Sequence, residues 1–192
     1  MSLHDDATAV LAAWSPGEDQ QARLRLMYLA HLAAEPTAMS RECHPDHLTA
    51  SCLVISPDGE RVALTRHRKA GLWLQTGGHC EPDDVTLADA ALREAIEESG
   101  IVDLVIDPVP LRLSRHEVPF CGPVQPAFHL DVQFMAVTSS TSLVRSEESE
   151  ALAWWPSDDP PEPTDQDVRD LIAAARRRLR ENPWPDRPVD ID

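Results

Sequence analysis

Between Gly77 and Ile101 the chain reads GGHCEPDDVTLADAALREAIEESGI, and this stretch constrains the rest of the molecule. It is a glycine turn, an acidic loop and one helix. Thr86 is placed to cap the helix, with Asp89 three residues on, and Gly100 to close it with a left-handed residue. At about 100° per residue, Glu94, Glu97 and Glu98 fall within an arc of roughly 100°. Ala88, Leu92, Ala95 and Ile96 fall on the opposite side, as a buried face does. Glu94 precedes Glu97 by three residues and Glu98 by four, spacings at which like charges repel by roughly 0.2–0.5 kcal/mol a pair. A solvated acidic face tolerates that cost. A divalent cation removes it, since Mg²⁺ prefers carboxylate oxygens and keeps several waters.

The segment resembles the Nudix box, written G-x5-E-x7-R-E-U-x-E-E-x-G-U with U apolar. Gly78, Arg93, Glu94, Glu97, Glu98, Gly100 and Ile101 match it, and Ala95 stands at a U position. The interval from Gly78 to Arg93 is one residue longer than the pattern. Its first glutamate is replaced by Asp84 or lost to Val85, according to where the insertion falls. HRKAGLWLQTGGH, ending at His79, is similar to a bacterial Nudix subgroup with a W-L-Q-x-G-G-H segment. The resemblance implies an α/β fold, the Nudix α/β/α sandwich with a mixed β-sheet, plus an N-terminal helical extension. We divide the chain into that extension at 1–40, a hydrolase domain at 41–182 and a proline-rich tail at 183–192.

The implied activity is hydrolysis of a pyrophosphate linkage in a nucleoside diphosphate joined to another moiety, with Mg²⁺ (or Mn²⁺) as cofactor. Gly77, Glu94, Glu97 and Glu98 are the expected metal residues, Gly77 through its backbone carbonyl. Glu94 is our choice of base. Arg93 orients the glutamates and compensates their charge. A further carboxylate usually comes from a late loop in this family. Glu148, in SEESE, is our choice for it, with Glu147 and Glu150 as alternatives. Arg66, Arg68 and Lys69, in a basic run, are expected substrate contacts. Equally, they suit a solvated loop. His79 joins them as a minor candidate. Trp73 stands in an apolar strand, where core is the better reading than stacking on a base.

The whole chain fits this frame. Its 192 residues suit one domain with a proper core. The net charge of −16 argues against an extended nucleic-acid or anionic-membrane surface. It leaves room for a small-molecule nucleotide, because a bound metal offsets local charge. The four cysteines, Cys43, Cys52, Cys80 and Cys121, form no C-x-x-C pair, so reduced thiols are the default. Cys43, His44 and His47 make a C-H-x-x-H cluster, but it lacks a second pair at zinc-finger spacing. No apolar run spans a bilayer and the first residues lack a basic, apolar signal layout. A cytoplasmic protein is the expectation.

Leu3–Trp14 and Glu18–Ala34 carry helical spacing. They are expected to dock on the domain, pair two subunits or cover the substrate site, docking first, which keeps a homodimer among the expectations. His47–Ile55, Arg61–Arg66, Leu72–Thr76, Val102–Ile106, Leu111–Val118, Phe128–Val137 and Ala151–Trp155 read as strands. Thr164 is placed to cap a last helix ending at Glu181, with Val168, Leu171, Ile172, Ala175 and Leu179 as its buried stripe. Arginines crowd its final turns, where cations complement the helix dipole. Two other readings are open to the sequence. One is a Nudix-fold sensor that binds nucleotides without cleaving them. The other is an acidic helical scaffold with no site, which requires the strand assignments to be wrong. No loop names the substrate: ADP-ribose, other nucleotide sugars, dinucleoside polyphosphates, coenzyme A and oxidised nucleoside triphosphates all suit the box.

Overall fold

The computed structural model describes residues 1–119, 121–146 and 149–184. Its centre is β1 (His47–Ile55), a nine-residue strand buried along its whole length. Such a strand needs neighbours on both edges and cover on both faces. It runs parallel to β6 (Phe128–Val137), from His47 against His129 to Ile55 against Val137. On its other edge, its first half pairs antiparallel with β4 (Thr76–His79) and its second half with β2 (Arg61–His67). Beyond β2 lie β3 (Trp73–Leu74) and β7 (Ser149–Pro156), both antiparallel to it. β5 (Val105–Glu117) closes the far edge against β6. The seven strands form one mixed sheet.

Alternation along β1 divides the core. Leu48, Ala50, Cys52 and Val54 face one layer, shared with α1 (Leu3–Ala13), α2 (Asp19–Ala34) and α3 (Leu87–Ser99). Leu53 and Ile55 face the other, under α4 (Gln166–Glu181). The expected α/β/α sandwich is therefore present. The first half of that second face is polar: His47, Thr49 and Ser51 on β1 stand beside His129, Asp131 and Gln133 on β6. Thr49 and Ser51 donate from their hydroxyls to the Asp131 carboxylate at 3.0 and 2.6 Å.

The N-terminal helices pack into the same core as the sheet. Ala7, Leu11, Tyr28 and Leu32 are buried there. Gln21 donates to the Leu113 carbonyl and accepts from its N–H, at 3.0 and 2.7 Å. One side chain thus occupies both backbone groups of an edge-strand residue, which protects that edge from stray pairing. The buried Asp6 accepts from the Leu87 N–H at 2.8 Å, tying α1 to the first turn of α3.

Three of the differences from the sequence expectation change how an element is divided or capped. The two strands expected around Asp107-Pro108 are one strand whose register shifts between Asp107 and Arg112. Pro108 and Pro110 cannot donate to the ladder, so the pairing bulges and resumes. The Leu72–Thr76 strand divides, because β3 pairs with β2 whereas β4 pairs with β1. The cap of α4 is Asp165, which accepts from the Val168 N–H at 2.9 Å. Thr164 instead donates to the Trp73 carbonyl at 3.3 Å. Trp73 itself is core, edge-on to Trp155 at 5.2 Å between ring centroids. Among the described residues, no helix is long and apolar enough to cross a membrane.

Candidate functional site

Helix α3 begins as its sequence requires. Thr86 accepts from the Asp89 N–H at 3.0 Å, and Gly100 closes the helix with φ of 69°. The buried face is Leu87, Ala90, Ala91, Ala95 and Ser99. The expected stripe is offset: Ala95 lies in it, while Ala88, Leu92 and Ile96 are partly buried at its rim. Three alanines in the centre let the helix lie close on β1 and β4. That closeness sets Glu94 against the glycines that the sequence reads as a turn and the structure places in β4.

Arg93 organises the acidic side. Its Nε and Nη2 donate to the two Asp84 oxygens at 3.0 and 3.1 Å, a bidentate pair. Its Nη1 donates to Glu94 at 3.0 Å and to Glu97 at 3.3 Å. Its Nη2 also reaches the His79 carbonyl at 3.0 Å. The Asp84 side chain is only 6% exposed, and its hydrogen bonds to Arg93 hold the guanidinium charged. Val85 is 66% exposed. Of Asp84 and Val85, the two positions aligned with the box's first glutamate, Asp84 is the one paired with Arg93.

The glycine pair is explained by what each residue touches. A Cβ on Gly78 would stand 2.5 Å from Glu94 Oε1, so the Glu94 carboxylate lies directly on that α-carbon. A Cβ on Gly77 would stand 2.4 Å from Ser51 Cβ across the β1–β4 pairing. Both approaches exclude any other residue type without movement.

These carboxylates suit a hard cation through their oxygens. Glu94 is 16% exposed and Glu97 59% exposed at the side chain, and Glu98 is half-buried one turn beyond Glu94. They do not form a closed cage. Among the described residues, the one group of three or more metal-ligating side chains converging within 4.8 Å lies elsewhere. An open, carboxylate-sided arrangement still fits Mg²⁺, which is usually held by one or two carboxylates, waters and substrate phosphates.

Most of the other expected site residues lie on elements other than α3. Arg66 pairs with Glu150 at 3.5 Å. Arg68 and Lys69 lie in the exposed turn after β2. Glu148 falls outside the described residues. His79 turns away from Glu94: Gly78 pairs with Ala50, on the α3 face, and His79 pairs with Thr49, on the other. Two cavities lie apart from α3, one lined by Trp14, Glu18, Arg112 and Arg177 and one by Asp107, Met135, Arg178 and Trp184.

The converging group is His47, His79, Cys121 and His129. Cys121 Sγ is 3.8 Å from His47 Nε2 and 3.6 Å from His79 Nε2. The three imidazole centroids are 4.9 to 5.1 Å apart. Burial pushes His79 down to about 4 and His129 to about 3, with neighbouring imidazoles adding to both. His47 is lowered by burial as well. The sequence reading reached His47 only as part of C-H-x-x-H and His79 only as a substrate contact. A signal was present in the period-two runs His47-Thr49-Ser51 and His129-Asp131-Gln133, which put polar residues on one face of two apolar strands.

A family model for the NUDIX domain matches residues 45–175, and the chain belongs to the Nudix family. Solved structures agree on the fold. A NUDIX-family hydrolase from Clostridium perfringens is 22% identical, with a TM-score of 0.55 over 70% of this chain and 97% of its own. The NUDIX domain of Shewanella oneidensis NrtR, solved with ADP ribose, is 24% identical, with a TM-score of 0.57 over 78% and 97%. A C. elegans Ap4A hydrolase is 16% identical, with a TM-score of 0.56 over 70% and 98%. No curated protein matches the chain in sequence.

Proposed function

We propose that the chain hydrolyses a pyrophosphate linkage in a nucleoside diphosphate joined to another moiety, using Mg²⁺ or Mn²⁺. The observation that carries this reading is the Arg93 cluster, which fixes Glu94 on the bare α-carbon of Gly78 and Glu97 beside it. When bound, such an ion lowers the pKa of attacking water and offsets charge on the phosphate oxygens. Glu94, Glu97 and Glu98, with the Gly77 carbonyl, are the residues to hold it. Glu94 takes the proton of the attacking water. Arg93 keeps the carboxylates in place through bonds that do not depend on substrate. Glu148 contributes a further carboxylate from the segment before β7. Arg66, Arg68 and Lys69 meet the phosphates of the substrate, a small nucleotide.

The test is a panel of nucleotide derivatives assayed for phosphate-bearing products with Mg²⁺ and Mn²⁺. Turnover that needs the metal and is lost in Glu98→Gln is the expected result. A second reading, a sensor that binds without cleaving, draws on the Asp84 replacement and on the engagement of both Glu94 and Glu97 by Arg93. Tight binding of a nucleotide with no turnover of any panel member would select it.

A further inference from the structure

Four side chains outside the carboxylate site converge as metal ligands do. His47 opens β1, His79 ends β4, His129 is the second residue of β6, and Cys121 stands in the loop between β5 and β6. Tetrahedral Zn²⁺ has Zn–N of about 2.0–2.1 Å and Zn–S of about 2.3 Å, so its ligand atoms stand roughly 3.3–3.6 Å apart. The sulfur-to-nitrogen distances here are 3.6 and 3.8 Å, and no pair of the four exceeds 4.8 Å. The widest pair needs to close by roughly 1 Å.

The surroundings prepare these groups for coordination. The Cys43 carbonyl lies 3.1 Å from His47 Nδ1. A proton held there leaves the Nε2 lone pair facing Cys121, as an outer-shell partner does in metal sites. His129 Nε2 is buried with no hydrogen-bond partner, an uncommon state for a buried polar atom. All four cysteines are free thiols, so Cys121 is available as a ligand.

The geometry points to a structural Zn²⁺ site of three imidazoles and one thiolate at His47, His79, His129 and Cys121. The donor set selects the metal. Imidazole and thiolate suit Zn²⁺, whereas Mg²⁺ takes oxygen. Four protein ligands complete a tetrahedron, which is the mark of a structural site and not a catalytic one. Binding forms one Zn–S and three Zn–N bonds and releases the Cys121 thiol proton to solvent. The ion would join the ends of three strands to a loop. It would also fix β4, a four-residue strand whose two glycines offer no side chains to pin its register. Its position on the opposite face from Glu94 separates it from the hydrolytic metal.

Full-length protein purified after growth with zinc is expected to hold one Zn²⁺ per chain by elemental analysis. Replacing it with Co²⁺ should give tetrahedral d–d bands and a thiolate-to-metal charge-transfer band. Cys121→Ser should abolish the charge-transfer band. His129→Ala should weaken Zn²⁺ binding by more than the roughly 100-fold typical of losing an outer-shell partner, in competition with a chromophoric chelator. Glu98→Gln should leave the spectrum unchanged, which separates this site from the carboxylates whether or not the chain is a hydrolase. Circular dichroism checks that each variant is folded. Absence of stoichiometric zinc together with no thiolate band on Co²⁺ titration of the wild-type protein overturns the proposal. So does a charge-transfer band that survives Cys121→Ser.

Discussion

Two groups of polar side chains flank one short strand, and they are built on opposite principles. On the α3 face, donors come from a single run of sequence, are hard oxygens, and are spread around the cation Arg93. On the other face, donors come from four segments, are nitrogen and sulfur, and crowd together without any acidic side chain among them. Gly78 and His79 are adjacent in sequence yet serve different faces, because side chains alternate along a strand. A helix delivers several like ligands from one motif. A sheet end collects unlike ones from wherever its strands begin and stop.

The largest effect should come from the first group. Glu98→Gln is expected to lower metal-dependent turnover by about 100-fold or more, against the roughly 10- to 100-fold typical of losing even an outer-shell partner. Steady-state product release measures it. If the chain retains full turnover, the carboxylate side of the comparison fails. Next, Arg93→Ala removes the cation from a nearly buried Asp84 carboxylate and should cost about 3 kcal/mol of stability. Denaturant unfolding measures this, and Arg93→Lys should recover only part, since it keeps the charge and loses the bidentate geometry.

Gly78→Ala tests how closely β4 and Glu94 depend on each other. The added methyl meets the end of a flexible side chain, so Glu94 is displaced while the fold survives. Turnover should fall far more than the melting temperature.

The histidine side predicts a pH dependence for metal-free protein. His79 and His129 lie near 4 and 3 when folded, against an ordinary value of 6.5. Between those values the unfolded chain binds protons that the native chain does not. Their contribution to stability is therefore whole above about pH 6.5 and is lost as pH falls toward 4 and then 3. Unfolding curves across that range check it, and His129→Ala should flatten the slope. The smallest effect is Asp6→Ala, which removes an acceptor from the first turn of α3 and should cost about 1 kcal/mol, the usual scale of a lost helix cap. It should soften the carboxylate side and leave Co²⁺ spectra of the histidine side unchanged.

Much of this was legible in the residues. β1 and β6 fall where their β-branched and alternating runs lie. The two ends of α3 fall at Thr86 and Gly100. Such signals are local: a cap or a periodic stripe depends on neighbours within one or two turns. The division of Leu72–Thr76 into two strands was not legible, since it depends on which edge each half meets. Neither was Asp84 as the partner of Arg93, which required knowing how the inserted residue is absorbed by the loop.

What the sequence determined alone is the acidic helix and the family that goes with it, because Arg93, Glu94, Glu97 and Glu98 sit on one helix and Gly100 and Ile101 follow directly at its end, where spacing is geometry. The meeting of His47, His79, Cys121 and His129 was decided only by tertiary structure. Strand pairing set three histidines on one face, and the fold of a loop brought the thiol to them; no spacing along the chain encodes a contact between residues 74 positions apart.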